Sequence, residues 1–572
     1  MQIRHRLSAH DPSAHLVEIE TTVSGPDVPS PLELAFPIWT PGSYLVREYA
    51  RHIEGMSSSH PVEKVRKNAW RIDHGGLSEV TVRYRVYCND LSVRTNHVDA
   101  THIYVNGAAT FPFVPGHLDA GAELEVAVPQ GWKVSTALPF DGSVHRASSV
   151  DVLIDSPIEI GTQREETFVA AGKVHTVAIW PDDCVRDSDV ARMVEAMKTI
   201  VETEARLFGG SLPHDGYVFI LHFSPRGRGG LEHLSSSTLL ASPASFDARE
   251  GFLDLLSLIA HEYFHLWNVK RIRPQGLTPY RYEEENYTRQ LWWFEGATSY
   301  YDWRVLRLAK LCTVEEYLEH LAGEIAHLDQ TPGRLVHALE DASFDAWIKL
   351  YRPDENSPNS TISYYRKGEL VCALLDLEIR GRTHGRVSLD HVLFHLWERH
   401  GNGEPVPEGA MQSICESIAE TPLGDLFDAW IRSAKDIDPA PTLARAGLMV
   451  ERAPKSEAPS LGIRTRESNG RVFVTHVPRG GAGHRAAIDV GDEILAIASR
   501  RVEGPLEPVL SKLTPEQRVP VLVGRDGHVR TLEAKLDPPR ADRVRLTARK
   551  DATTQQKALF EHWLSEAHPA WK

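Results

Sequence analysis

Residues 260–265 read Ala-His-Glu-Tyr-Phe-His and bring two imidazoles and a carboxylate together within a short stretch. They belong to an apolar run at 252–269 that contains no glycine or proline and is predicted to be helical. At about 3.6 residues per turn, His261 and His265 project from one helix face and can reach the same metal ion. Glu262 lies roughly 100° round the helix, where it can take a proton from water beside a metal. The spacing predicts a zinc ion that activates water for hydrolysis.

The same spacing also arises by chance, in which case the histidines would be polar residues of an ordinary helix. Catalytic zinc usually has three protein ligands and one open position, so a third ligand is needed.

Several acidic residues after His265 are candidates for the third zinc ligand. Glu295 lies in QLWWFEGATSYYDW, an apolar stretch predicted to form a buried helix, and a buried acid needs a partner such as a metal. Glu284 and Glu285 lie in the polar stretch RYEEENYT, where acids usually face solvent. Asp302, two turns along the helix from Glu295, is either a partner that orients a metal-binding histidine or a surface or capping charge.

Composition narrows the class of protein. The chain has 572 residues and a formal net charge of −15, which argues against nucleic acid or an anionic membrane as a partner. Its five cysteines contain no C-x-x-C pair and are predicted to be reduced. No signal-peptide pattern and no apolar window of about 18 residues occurs, so a cytoplasmic protein that does not span a membrane is expected.

Hydrophobic periodicity divides the chain into four parts and predicts a multidomain α+β fold. Residues 1–165 are predicted to form a β-rich domain, 166–445 a mainly helical domain, 446–540 a domain of short strands, and 541–572 a helical tail. A linker is expected at 447–459. The more regular predicted elements are strands at 15–22, 80–87, 102–105, 124–128 and 217–223, and helices at 188–207 and 554–565.

Several separated blocks together resemble the glycyl aminopeptidase family of PDZ-containing zinc metallopeptidases, which are related to the alanyl and leukotriene-type aminopeptidases. The blocks are WTPGSYLVREYARH at 39–52, GGLEH at 229–233, HEYFHLWNVKRIRP at 261–274, LWWFEGATSYYDW at 291–303 and SYYRKGEL at 363–370. The resemblance implies a thermolysin-like catalytic domain with one zinc ion per chain. No role is assigned to the charged residues of the first block.

The resemblance also implies roles for individual residues. It favours Glu295 as the third zinc ligand, because relatives take this ligand from a short E-G helix. Glu232 stands where relatives have a glutamate that holds the free α-amino group of the substrate, and Gly229 and Gly230 would let the backbone approach the peptide. His233 stands where relatives often have asparagine, which leaves its role open.

Tyr365 matches the tyrosine of a Y-x-K-G motif in these relatives, whose hydroxyl hydrogen-bonds the oxyanion of the reaction. The adjacent Tyr364 is the alternative, and both could instead be core aromatics.

Residues 461–536 resemble a bacterial-type PDZ domain, in which Leu461–Ile463 could bind the carboxylate at a peptide C-terminus. A packing or dimerising module without a ligand is an equal alternative, and a homo-oligomer is left open.

We therefore predict a zinc aminopeptidase that acts on short peptides with a free N-terminus. A preference for N-terminal glycine or alanine comes from the resemblance alone. The alternatives are a zinc metalloendopeptidase with an open cleft and a non-catalytic scaffold in which the PDZ domain is the working part.

Overall fold

The structure is a computed structural model that describes residues 1–127 and 129–571. The described residues fall into two compact units. The first unit comprises 1–288, 301–312 and 393–408, and the second comprises 289–300, 313–392 and 409–572. No helix in the described ranges is both long and apolar enough to span a membrane.

Residues 1–161 form mainly strands, as predicted. The strands are β1 Gln2–Ser8, β2 Leu16–Ser24, β3 Leu32–Ala35, β4 Ile53–Ser58, β5 Val62–Arg66, β6 Ala69–Ile72, β7 Glu79–Tyr87, β8 His97–Val98, β9 His102–Val105, β10 Ala122–Ala127, β11 Lys133–Thr136, β12 His145–Ala147 and β13 Ile158–Gly161. Two short helices, α1 Gly107–Thr110 and α2 Val150–Ile154, interrupt them. The predicted strand at 124–128 corresponds to β10, and its last residue, Val128, lies outside the described residues.

These strands form sheets in the orders β12-β10-β1-β2-β7-β4, β11-β13-β9-β8 and β3-β6-β5. In β1 and β2 every second residue is buried, which is the pattern of a sheet with one face on the core.

The next part of the first unit, residues 164–264, carries a further sheet and two long helices. Its elements are β14 Arg164–Ala170, β15 Lys173–Trp180, α3 Asp187–Leu207, β16 Gly216–Phe223, β17 Gly229–Glu232, β18 Ser236–Ala241 and α4 Arg249–Phe264. The strand order is β14-β15-β16-β18-β17, with β15, β16 and β18 parallel and β17 antiparallel at one edge. The first four residues of the GGLEH block therefore form an edge strand.

Helices dominate the next part of the chain. They are α5 Leu291–Phe294, α6 Gly296–Leu308, α7 Val314–Asp329, α8 Leu339–Phe344, α9 Ser357–Ser360, α10 Tyr364–Arg382, α11 Leu389–His400, α12 Met411–Ala419, α13 Gly424–Trp430 and α14 Ala440–Arg445. The stretch around Glu295 is thus not one continuous helix, because α5 ends before Glu295 and α6 begins after it.

The C-terminal part alternates strands and short helices. Its elements are β19 Leu448–Ala453, β20 Arg464–Ser468, β21 Arg471–His476, α15 Ala482–Arg485, β22 Glu493–Ile497, β23 Arg500–Arg501, α16 Glu507–Leu510, β24 Arg518–Arg525, β25 His528–Lys535, β26 Arg543–Ala548 and α17 Thr554–Leu564. The sheet order is β20-β21-β22-β24-β25, around a core that includes Val472, Ile494 and Val521.

Two expectations for this region were wrong. The predicted linker contains β19, and the predicted helical tail begins with β26, which pairs with β19 in antiparallel fashion. β19 is mostly exposed after Leu448 and shows no regular alternation of burial. In β26, exposed Arg543 and Arg545 alternate with buried Val544 and Leu546, and this pattern was overlooked in the sequence.

Within the second unit, Asn359 ties the helical part to the PDZ-like part. Its Nδ2 donates to the main-chain carbonyl of Val477 at 3.0 Å, and its Oδ1 accepts from the main-chain N–H of Arg479 at 2.7 Å.

Candidate metal centre

The two histidines of the opening motif lie at the end of α4, with ring centroids 4.7 Å apart. The Nδ1 atom of His261 donates to Oδ2 of Asp302 at 3.1 Å, and Nδ1 of His265 donates to the main-chain carbonyl of Asn268 at 2.7 Å. Because both Nδ1 atoms are bonded to acceptors, Nε2 is the nitrogen that each ring offers to a metal. Asp302 is therefore a buried partner of His261 and not a surface charge.

The helix is shorter than the predicted run at 252–269. It ends at Phe264, and His265 follows as its C-cap while keeping helical backbone angles. Val269 has a φ of 127°, so the helix cannot continue through the whole apolar run. His265 still lies one turn beyond His261, because its N–H bonds to the carbonyl of His261.

The carboxylate of Glu262 lies directly against the backbone of β17. A Cβ atom added to Gly230 would lie 2.0 Å from Oε1 of Glu262, so only glycine leaves room for the acid. Glu232, Glu262 and His265 each offer one potential ligand atom, and these atoms lie within 4.8 Å of one another. The structure therefore brings together His261, Glu262, His265 and the predicted amine-binding residues 229–232.

Glu232 is the last residue of β17 and is buried. A Cβ atom added to Gly42, whose φ is +82°, would lie 2.4 Å from Oε2 of Glu232. The T-P-G turn of the first sequence block therefore packs against this carboxylate. Sequence analysis missed Gly42, although a glycine after T-P indicates a tight turn.

A buried ionic cluster fixes the chain just after Glu232. Asp155 accepts hydrogen bonds from Nζ of Lys270 at 2.7 Å, from Nδ1 of His233 at 3.1 Å and from the main-chain N–H of Leu234 at 2.8 Å. Burial opposes ionisation of Asp155, but Lys270 and His233 hold its pKa below the ordinary value. Burial lowers the pKa of Lys270, whereas Asp155 and, more weakly, Glu232 raise it, with a net increase. His233 thus has a structural partner.

In the second unit, Glu295 lies between α5 and α6 and is 2% exposed. Tyr365 lies in the first turn of α10, and its hydroxyl is 3.3 Å from the hydroxyl of Tyr351. Burial raises the pKa of Tyr365 well above its ordinary value, and the charge of Glu295 raises it further. Tyr365 therefore keeps its proton and lies within electrostatic reach of Glu295. Tyr364 is fully buried and stacks on Tyr365 with ring centroids 4.7 Å apart.

A contact between two glycines positions Glu295 and Tyr365. A Cβ atom added to Gly296 would lie 2.6 Å from the Cα atom of Gly368, so the start of α6 and the first turns of α10 touch through their backbones. This explains why a glycine follows Glu295 and why another lies three residues after Tyr365.

The competing acids Glu284 and Glu285 are placed differently. Glu284 is exposed and pairs with Arg281 at 2.6 Å, while Glu285 is only partly buried. Glu284 and Glu285 thus lie in a solvated acidic stretch, as the sequence indicates.

Three family models match parts of the sequence. They describe the M61 glycyl aminopeptidase at residues 254–371, the N-terminal domain of M61 peptidases at 4–162 and a PDZ domain at 459–536. None of the curated proteins compared with the sequence matches it. Together with the observed sheets and helices, the family matches confirm the predicted fold class.

Solved structures extend the comparison. An aminopeptidase N family protein from Idiomarina loihiensis is 28% identical, with a TM-score of 0.92 and coverage of 99% of this chain and 100% of that one. An M1 zinc metallopeptidase from Deinococcus radiodurans is 13% identical, with a TM-score of 0.46 and coverage of 77% and 94%. Yeast LTA4 hydrolase is 13% identical, with a TM-score of 0.46 and coverage of 78% and 70%. The last two are too distant to inform the chemistry of this chain.

We expect Gly296→Ala to destabilise the protein by about 1–3 kcal/mol, because its Cβ atom would meet backbone that has no room to move. Gly323→Ala is the matched control, since this residue is also helical and an added Cβ atom there meets nothing within 4 Å. That control should gain roughly 0.5–1 kcal/mol. Urea unfolding of both variants measures the difference, and equal midpoints would contradict the packing argument.

We expect Gly230→Ala to reduce peptidase activity strongly with little loss of stability. The backbone at Gly230 suits any residue, so the added Cβ atom mainly displaces the side chain of Glu262. Gly216→Ala, also at a strand position, meets only a carbonyl oxygen at 3.7 Å and serves as control. Kinetics and thermal unfolding are measured together, and a fully active Gly230→Ala protein would show that Glu262 need not lie where it does.

Proposed function

We propose that this chain, a metallopeptidase with the M61 glycyl aminopeptidase domain, its N-terminal domain and a PDZ domain, is a zinc aminopeptidase of short peptides. The observation that carries the proposal is the pair His261 and His265, whose Nδ1 atoms are both fixed by acceptors beside the buried acid Glu262. Such a pair presents two neutral nitrogens to one metal ion, and hydrogen bonds of this kind are typical of zinc-binding histidines.

We take Nε2 of His261, Nε2 of His265 and the carboxylate of Glu295 as the ligands of one zinc ion. Glu295 directly precedes α6, and the same helix carries Asp302, the partner of His261, two turns later. Glu295 is buried, unlike the exposed Glu284, and a cation stabilises a buried carboxylate. When bound, zinc acts as a Lewis acid toward water and the peptide carbonyl.

Glu262 and Tyr365 handle the protons of the reaction. Glu262 removes a proton from the attacking water and delivers it to the amine of the leaving peptide. The hydroxyl of Tyr365, which retains its proton because its pKa is raised, donates a hydrogen bond to the oxyanion that forms at the carbonyl.

Glu232 makes the enzyme an exopeptidase in this proposal. Its buried carboxylate receives the free α-amino group of the peptide in a charge-assisted contact. The edge strand β17, with Gly229 and Gly230, pairs with the peptide backbone. A preference for N-terminal glycine or alanine is supported by the family match alone.

The PDZ-like part is proposed to bind a peptide C-terminus at Leu461–Ile463, next to β20. Gly462 has a φ of +66°, and the carbonyl of Leu461 accepts from the N–H of Gly483 at 2.6 Å, so the loop is held in a defined shape. The strand β20 is the last of its sheet, so it can pair with a peptide strand.

We expect Glu262→Gln to lower kcat by about 10²- to 10⁴-fold while about one zinc ion per chain remains bound, because general-base catalysis is lost and the ligands are kept. Glu250→Gln, an exposed acid on the same helix, should behave like wild type. Hydrolysis of glycyl and alanyl anilides is measured with and without a chelator, alongside metal analysis. Undiminished activity of Glu262→Gln, or activity that survives removal of all metal, would refute the mechanism.

We expect Glu232→Ala to raise KM for free peptides about tenfold or more without loss of zinc, because the ammonium loses its carboxylate. N-acetylation of the peptide should abolish cleavage by the wild-type protein for the same reason. Glu195→Ala, an exposed acid on α3, is the control. Continued cleavage of acetylated peptides would instead support the metalloendopeptidase alternative.

A further inference from the structure

Arg94 reaches the strand on which the substrate is proposed to lie. It comes from the loop between β7 and β8, and its Nη2 donates to the main-chain carbonyl of Gly230 at 3.2 Å. A Cβ atom added to Gly229 would lie 3.4 Å from Nη1 of the same side chain. The guanidinium therefore lies beside the first half of β17, while Glu232 ends the strand.

The positive charge of Arg94 is the second observation at this strand. Among the described residues no carboxylate forms a salt bridge with it, and its Nε atom is buried without a hydrogen-bond partner. The side chain is only partly exposed. Partly buried guanidinium groups are normally paired with carboxylates, often through two parallel hydrogen bonds. The guanidinium can therefore pair with an anion from outside the chain.

The loop that carries Arg94 is held in place before any ligand binds. The hydroxyl of Tyr49 donates to the main-chain carbonyl of Arg94 at 2.8 Å, and the N–H of Arg94 donates to Oγ of Ser92 at 3.2 Å. Val93 packs in one apolar cluster with Leu231 of β17. Such preorganisation lowers the entropy cost of binding a ligand to the guanidinium.

The distance along β17 matches a short peptide. Gly230 and Gly229 precede Glu232 by two and three residues, which correspond to about 7 Å and about 10 Å of extended chain. These are also roughly the distances between the amino group and the carboxylate of an extended dipeptide and tripeptide. A longer peptide would place a neutral amide at the guanidinium.

We infer that Arg94 binds the C-terminal carboxylate of a dipeptide or tripeptide whose amino group is held by Glu232. This inference rests on the proposed aminopeptidase function and narrows its substrate class to short peptides with both termini free.

The test compares Gly-Ala-Ala with its C-terminal amide, together with glycyl anilide, which has no carboxylate. Wild-type protein should show a kcat/KM about 10- to 100-fold higher for the acid than for the amide, as expected for a charge-assisted pair. Arg94→Gln should reduce this ratio to about one, and Arg94→Lys should restore part of it. Arg83→Gln, an exposed arginine on β7, should keep the wild-type ratio.

A binding measurement separates recognition from turnover. Calorimetry of the Glu262→Gln protein should give tighter binding of Gly-Ala-Ala than of its amide. The double variant Glu262→Gln/Arg94→Gln should bind both peptides equally. Thermal unfolding establishes that Arg94→Gln is folded. A wild-type ratio near one, or a ratio unchanged in Arg94→Gln, would overturn the inference. Failure of the wild-type protein to cleave both the anilide and the peptides would instead refute the proposed function.

Discussion

The hydrogen bond between Nδ1 of His261 and Asp302 is the constraint on which the rest of the site depends. It fixes the tautomer and orientation of the ring, and it requires α6 to run beside the end of α4. The same helix begins at Gly296, whose backbone touches Gly368 of α10. One helix thus carries both the partner of a histidine and the glycine contact that brings Tyr365 within reach of Glu295. A change in either contact alters more than one functional side chain.

Two buried carboxylates lie close together beside β17. Glu232 and Glu262 are both buried, and their carboxylates lie close to His265. Two carboxylates that lie close together and away from water repel each other, and nearby positive charge offsets this repulsion. Lys270, which forms an ion pair with Asp155, also interacts electrostatically with Glu232. In the proposed function, a divalent metal and the ammonium group of a substrate would add positive charge at the same place.

Much of the fold follows from local patterns. The periods of about 2 and 3.6 residues predict the N-terminal strands, the helix around 188–207 and the position of the motif on α4. They do not predict that α4 ends at Phe264, because neither glycine nor proline marks the turn that follows or the positive φ of Val269. β19 has no regular alternation to detect, because it is mostly exposed after Leu448, whereas the short alternation of β26 was overlooked. The contacts of Gly42 with Glu232 and of Asp155 with Lys270 join residues far apart in sequence, and no local pattern encodes such pairs.

The edge strand β17 shows how length selectivity can arise from few residues. Glu232 and Arg94 present opposite charges at separate points along a rigid backbone, and each is held by neighbours before a ligand arrives. A zwitterionic peptide loses hydration at both ends when it binds, so its binding is favourable only if both charges meet partners at the correct separation. A peptide of more than three residues would satisfy the carboxylate of Glu232 and leave a neutral amide at Arg94. Selectivity for short substrates thus follows from the spacing of two charges and needs no wall that closes the cleft.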